Sequence, residues 1–265
     1  MLSSATLFHF THSLDTLKKI ISEGFKPFYS SEDLRMFGVP ECPGIPMISF
    51  CDIPLSQTQN HVDGYGYYAI GFDKKWGMKK NISPVHYIYE GSICARVISE
   101  IHQFLPKNAF VEECGCMKFN PATAIFFYAK PYRGTMLRKG VDKGEVTFYN
   151  EREWRYVPFA DHTIKGMDEI PDGIRPMLAE REYNDSGALD AATIRLHEHY
   201  KLTFGAEDVK YLIVKEEVDF EEIDNFIEFG LKQRCENNEL RNCPEDEKRR
   251  LATRLISMRQ IKEDF

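Results

Sequence analysis

No run in this 265-residue chain approaches the roughly 20 consecutive apolar residues that a membrane helix needs, so no membrane partner is expected. The N-terminus, Met-Leu-Ser-Ser-Ala-Thr-Leu-Phe-His-Phe, lacks the basic segment and following apolar stretch of a secretory signal. The expected location is therefore the cytoplasm. Seven cysteines, an odd number spread along the chain, suit reduced thiols there. Cys114 and Cys116 form a close pair, but no second Cys pair or His pair at zinc-finger spacing accompanies them, so no metal is expected. Gly64-Tyr-Gly66 does not continue into Gly-x-Gly-x-x-Gly, and no phosphate-loop signature exists, which excludes Rossmann and kinase-like readings. Ser49 has no Gly-x-Ser-x-Gly elbow and is a poor nucleophile. Internal repeats and low-complexity tracts are also absent.

What remains is a chain able to bury a large core, 43% hydrophobic with 19 Phe and 13 Tyr, a composition suited to a packed sheet. Alternation predicts strands at 7–11, 45–50, 67–72, 85–89 and 209–214, and the apolar run 124–128 reads as a buried strand. Ser13 or Asp15 can cap a helix that Gly24 stops. Pro54 suits the first turn of another helix. Helical spacing at 92–104 puts Ile93, Val97, Ile98 and Ile101 on one face. Further helices are expected at 188–199, 220–231 and 245–261, the last with Leu251, Leu255 and Met258 as one stripe. The Pro- and Gly-punctuated stretch 158–187 reads as a long loop or lid. Strands and helices mix without strict βαβ alternation. The expectation is one α+β domain over 1–265, with its core at about 5–160 plus 205–231 and a C-terminal helix at about 245–262.

Residues 148–157, Phe-Tyr-Asn-Glu-Arg-Glu-Trp-Arg-Tyr-Val, carry the most chemistry. Read as one strand, they place Glu151, Glu153 and Arg155 on one side, with Arg152, Trp154 and Tyr156 on the other. Two acids one step apart on a face repel unless a cation, a proton or a ligand sits between them. The plainer alternative is an exposed face whose Glu and Arg side chains pair through solvent. Arg152 poses a difficulty, since sharing a face with Trp154 it needs a buried partner or an edge position.

The formal charge of −7 argues against nonspecific nucleic-acid binding by the whole molecule, but its distribution is uneven. No Asp or Glu lies between Lys118 and Val141, while Lys118, Lys130, Arg133, Arg138 and Lys139 do, just ahead of the carboxylates. This window offers positive potential to an anionic ligand, or is an ordinary solvated surface. By contrast, 207–228 is strongly acidic.

Two further clusters stand out. In Phe8-His9-Phe10-Thr11, inward phenylalanines would leave His9 and Thr11 on the opposite face. Ser49-Phe50-Cys51-Asp52 ends a strand and precedes His61, Tyr65, Tyr67 and Tyr68. Phe-His-Phe-Thr followed by a helix and Gly-Phe resembles the opening of DarT-type ADP-ribosyltransferases. Ile-Ser-Phe-Cys-Asp, the His-Val-Asp-Gly-Tyr-Gly-Tyr-Tyr-Ala-Ile-Gly-Phe stretch and Glu-Arg-Glu-Trp-Arg resemble the bacterial AbiGi family of phage abortive-infection proteins, over roughly residues 7–160 with an echo at 209–231.

The transferase resemblance implies a split-sheet NAD cleft with peripheral helices. His9 and Thr11 would hold a ribose, Ser49 and Phe50 would line the cleft, and Tyr67 would stack on nicotinamide. Glu153 would be the catalytic carboxylate, stabilising the oxocarbenium-like charge as nicotinamide leaves. Glu151 would orient or deprotonate the acceptor, Arg155 would keep both acids ionised, and Arg133 and Arg138 would receive an anionic partner. The arginine-bearing segment of DarT-type enzymes has no clear match, with Arg35 the nearest candidate. Three classes follow: an NAD-consuming toxin modifying a nucleic-acid or protein acceptor, a noncatalytic antitoxin binding a cognate toxin, or a metal-dependent nuclease built on Glu151, Glu153 and His61. The nuclease lacks a further acid at metal-ligand spacing.

Overall fold

The structure is a computed structural model that describes residues 4–104, 110–113, 116–119, 124–138, 141–158, 170–171, 173–234 and 240–264. It is mixed α+β, as the sequence leads one to expect, and its residues group into two compact units. The first comprises 1–25, 49–80 and 202–265, and the second 26–48 and 81–201.

In the first unit, strand Thr6–Thr11 pairs antiparallel with Tyr68–Asp73, from Thr6 opposite Asp73 to Thr11 opposite Tyr68. Its Phe8 also lies opposite Cys51, at the end of Gly44–Cys51. Tyr68–Asp73 pairs in turn with Val209–Val214, which runs parallel to Leu255–Ser257. Helix Leu14–Glu23 follows the first strand. The Ser13 hydroxyl accepts from the Thr16 amide, and Gly24 closes the helix at φ 77, where a Cβ would be strained. Phe8, Ile53, Ala69, Ile213 and Met258 fill one core. A run of rings from His9 through Phe25, Phe50 and Phe72 to Trp76 fills another.

In the second unit, Phe28–Ser31 pairs antiparallel with the start of Gly44–Cys51, and Ser83–Pro84 pairs with Trp154 and Arg155. His86–Ile88 runs parallel to Ala129–Pro131, while Gly134–Arg138 and Val141–Val146 form a hairpin. Helices Ile93–Phe104 and Ser186–His199 pack on a core of Leu34, Phe37, Ile45, Phe126, Phe127 and Leu196.

Four local expectations change. Residues 124–128 are helix, not strand, and both Phe126 and Phe127 are buried. A short apolar run carries no periodicity able to separate the two. The 92–104 helix turns Ile93 and Val97 outward, 71% and 50% exposed, and buries Ala95 and Ile98. The 245–261 segment is two helices, Glu245–Ala252 and Met258–Asp264, interrupted by strand Leu255–Ser257. That strand occupies the open edge of Val209–Val214, where the Leu212 amide donates to the Arg254 carbonyl at 2.8 Å. Unpaired strand amides are costly enough to override helical spacing. Finally, 148–157 is not one strand. Phe148–Glu151 is a 3-10 turn, Arg152 sits in the left-handed region at φ 46, and only Glu153–Tyr156 is extended. Within the 158–187 stretch, part of which lies outside the described residues, Glu180–Tyr183 is a helical turn.

Candidate functional site

The carboxylates converge even though the single strand does not exist. Strand alternation buries Glu153 and Arg155 on one face and leaves Trp154 and Tyr156 on the other. Arg155 Nε donates to Glu153 Oε1 at 2.8 Å and Nη2 to Oε2 at 3.0 Å. Glu151 reaches the same place by way of the turn. Lys130 Nζ sits between the acids, 2.7 Å from Glu151 Oε2 and 2.8 Å from Glu153 Oε2. A cation does separate the two carboxylates, and it is supplied by the chain itself. Arg155 also donates from Nη2 to Glu32 Oε1 at 2.7 Å and from Nη1 to the Phe127 carbonyl at 2.9 Å. The Tyr87 hydroxyl accepts from the Glu153 amide at 2.7 Å. Arg152 leaves the strand faces altogether, its guanidinium lying over the Tyr149 ring.

The result is an almost dry ladder, Glu151–Lys130–Glu153–Arg155–Glu32, in which Arg155 is 0% exposed. Burial by itself would raise the Glu153 carboxyl, but Arg155 and Lys130 outweigh it and hold the group well below the usual carboxylate range. Burial would likewise discharge the two cations. Glu153 and Glu32, joined at Lys130 by Glu151, instead carry both above their ordinary values. Burial raises the Tyr87 phenol, so it stays protonated. A carboxylate offers about four acceptor positions. Glu153 accepts three bonds from the two cations. Its negative charge is met largely within the protein.

The residues expected to hold the cofactor lie in the first unit. His9 Nδ1 approaches the Ser49 carbonyl at 2.8 Å, which makes that nitrogen the donor. The His9 ring packs edge-on against Phe25 and Phe50, and burial lowers its pKa, so it is neutral near pH 7 with Nε2 as acceptor. Phe50 is fully buried among those rings, Thr11 is buried in its strand, and Ser49 is exposed. The Tyr67 ring carries two ammonium groups, Lys215 and Lys262, each 5.7 Å from its centre. His61 lies against Phe10 and Tyr65.

In the basic window, Lys130 is no surface cation but a buried member of the ladder, held between Glu151 and Glu153. Arg133 is exposed and 3.5 Å from Glu145. Arg138 lies on a hairpin strand, its side chain outside the described residues, as are Lys139 and Cys114. Arg35 is held by Asp33 through two bonds, at 2.9 and 2.6 Å. Among the described residues, no three His, Cys, Asp or Glu side chains gather as metal ligands, and no helix is long and apolar enough to cross a membrane.

Sequence reasoning missed Glu32 and Tyr87. Glu32 stands 123 positions from Arg155, and no local spacing connects them. The signal for Lys130 was present in the pair of acids, which called for a cation, a proton or a ligand without saying which.

Comparison with known proteins adds the following. Residues 6–215 match the family described as "Putative abortive phage resistance protein AbiGi, antitoxin". A curated protein of Lactococcus lactis subsp. cremoris, the abortive phage resistance protein AbiGi, is 28% identical over 240 residues, covering 83% of this chain and 89% of that protein. No solved structure matches.

Proposed function

Starting from the fact that the chain belongs to the AbiGi family of abortive phage resistance proteins, we propose that it acts as the antitoxin of a two-component system, binding and restraining a cognate toxin protein. The observation that carries this reading is the internal neutralisation of the acids. Glu151, Glu153 and Glu32 are each bonded to Lys130 or Arg155, so the cluster behaves as a structural lock rather than as charge offered to a substrate. The family description points the same way, and apolar side chains turned to solvent, Ile93 and Val97 in one unit and Val218 and Phe229 in the other, suit a protein partner.

The second reading is an ADP-ribosyltransferase that uses NAD, with Glu153 as its catalytic carboxylate. One observation favours it: Glu153 is firmly ionised, as that chemistry requires. The two separate in one experiment. Growth is followed in cells expressing the cognate toxin with and without this chain, and the purified chain is assayed for nicotinamide release from NAD. The antitoxin reading expects restored growth and no release. A chain that is toxic alone and consumes NAD would replace it with the transferase.

A further inference from the structure

Beside the ladder, in the same unit, lies a group of rings that the core does not absorb. Tyr132 and Tyr149 stack with centres 5.6 Å apart at 28°, and Tyr87 meets Tyr149 edge-on at 5.4 Å. The two stacked rings remain 39% and 47% exposed, although a tyrosine is among the residues most stabilised by burial. Their backbones are tied together. The Tyr149 amide donates to the Tyr132 carbonyl at 3.3 Å, and the Tyr132 amide to the Ile88 carbonyl at 2.7 Å, so the pair is preorganised. Arg152 lies over Tyr149 at 5.9 Å and adopts φ 46, a conformation in which an L side chain is strained and a glycine would rest more easily. Between Lys130 and Arg155 the cations outnumber the carboxylates seven to four, in a chain of formal charge −7. Arg133 pairs with Glu145 only at 3.5 Å, with both side chains largely exposed, an ion pair weak enough to yield to a phosphate.

We propose that the Tyr132–Tyr149 stack, with Arg133 and Arg152, binds a nucleobase together with its phosphate, presented by a free nucleotide or by a single-stranded nucleic acid. The rings supply a stacking surface that accepts any base, and the guanidinium groups supply the charge for the phosphate. This site goes beyond toxin restraint and stands or falls without it.

The test uses the full chain, a fluorescently labelled oligothymidylate followed by anisotropy at low salt, and AMP as competitor. Tyr132→Ala and Tyr149→Ala are each expected to weaken binding by roughly 5- to 150-fold, the range alanine substitution gives for one stacked base. Tyr132→Phe should bind as the parent does. Arg133→Glu should weaken binding and flatten the log–log salt dependence by about 0.7 for each phosphate that is no longer neutralised. Displacement of the oligonucleotide by AMP identifies a free-nucleotide site, and binding of the oligonucleotide alone identifies a strand site. The proposal is overturned if the parent, folded by circular dichroism, binds neither probe, or if folded alanine variants bind like the parent. It is equally overturned if those variants lose a partner protein while neither probe binds, because the rings would then be a protein interface.

Discussion

Replacing Glu153 by Gln tests whether the ladder holds the fold or serves chemistry. The amide keeps the shape but loses the charge, and one of its two ends must present N–H donors to a cation. Arg155, fully buried, would keep Glu32 as its one carboxylate, and Lys130 would keep Glu151. Removing one member of a buried ion pair costs about 3–5 kcal/mol. At 2–4 °C per kcal/mol for a chain of this size, Tm should fall by roughly 6–20 °C. Glu151→Gln removes one bond to a lysine that retains Glu153, and should cost nearer 1.5 kcal/mol. Glu153→Gln combined with Lys130→Met removes a cation with the anion, and should cost less than the two changes added, by about 0.5–3 kcal/mol.

The pH dependence follows from the direction of the shift. Glu153 is depressed in the folded state, so its contribution is complete above the unfolded value near 4.3 and disappears as pH falls through the much lower folded value. The gap between parent and Glu153→Gln should therefore stay constant from neutrality to about pH 5 and narrow progressively as pH falls below about 4 toward the folded value. Thermal unfolding followed by circular dichroism across that range is the assay. A Glu153→Gln protein that unfolds within about 1 kcal/mol of the parent would refute the structural lock and return Glu153 to the candidates for catalysis.

Three further outcomes are expected. Gly66 has φ 101, and a Cβ there would stand 2.2 Å from the Thr11 carbonyl oxygen, so Gly66→Ala should lose at least about 2 kcal/mol in urea unfolding. Ser13→Ala removes the acceptor for the Thr16 amide and should cost about 1 kcal/mol, read as a lower urea midpoint with an unchanged slope. His9 and His197 are both lowered, chiefly by burial, so unfolded chains take up protons near pH 6.5 that the folded protein refuses. Stability should then fall below that pH, by up to about 1.4 kcal/mol per unit for the buried His9 and by less for the partly exposed, solvent-screened His197, and a His9→Gln, His197→Gln protein should show a flatter profile. An unchanged profile would mean that folding lowers the proton affinity of neither ring.

Local chemistry was legible wherever neighbours in the chain decide the outcome. A cap at Ser13 or Asp15, the Gly24 stop, the strands expected at 7–11, 67–72 and 209–214 and found at 6–11, 68–73 and 209–214, and the need for a cation, a proton or a ligand between Glu151 and Glu153 all follow from spacing over a few residues, because dihedral preference and alternation act over that range. Tertiary structure decided the rest. Which cation answers the two acids, Lys130, and which third acid balances Arg155, Glu32, depends on segments brought together from far along the chain. Leu255–Ser257 became a strand because a sheet edge needed hydrogen bonds, and Ile93 turned outward because Ala95 and Ile98 met the core. Burial and desolvation belong to the assembled fold: they turned Lys130 from an apparent surface charge into a rung of a buried ladder, since a charge inside the protein persists only where opposite charges are fixed beside it.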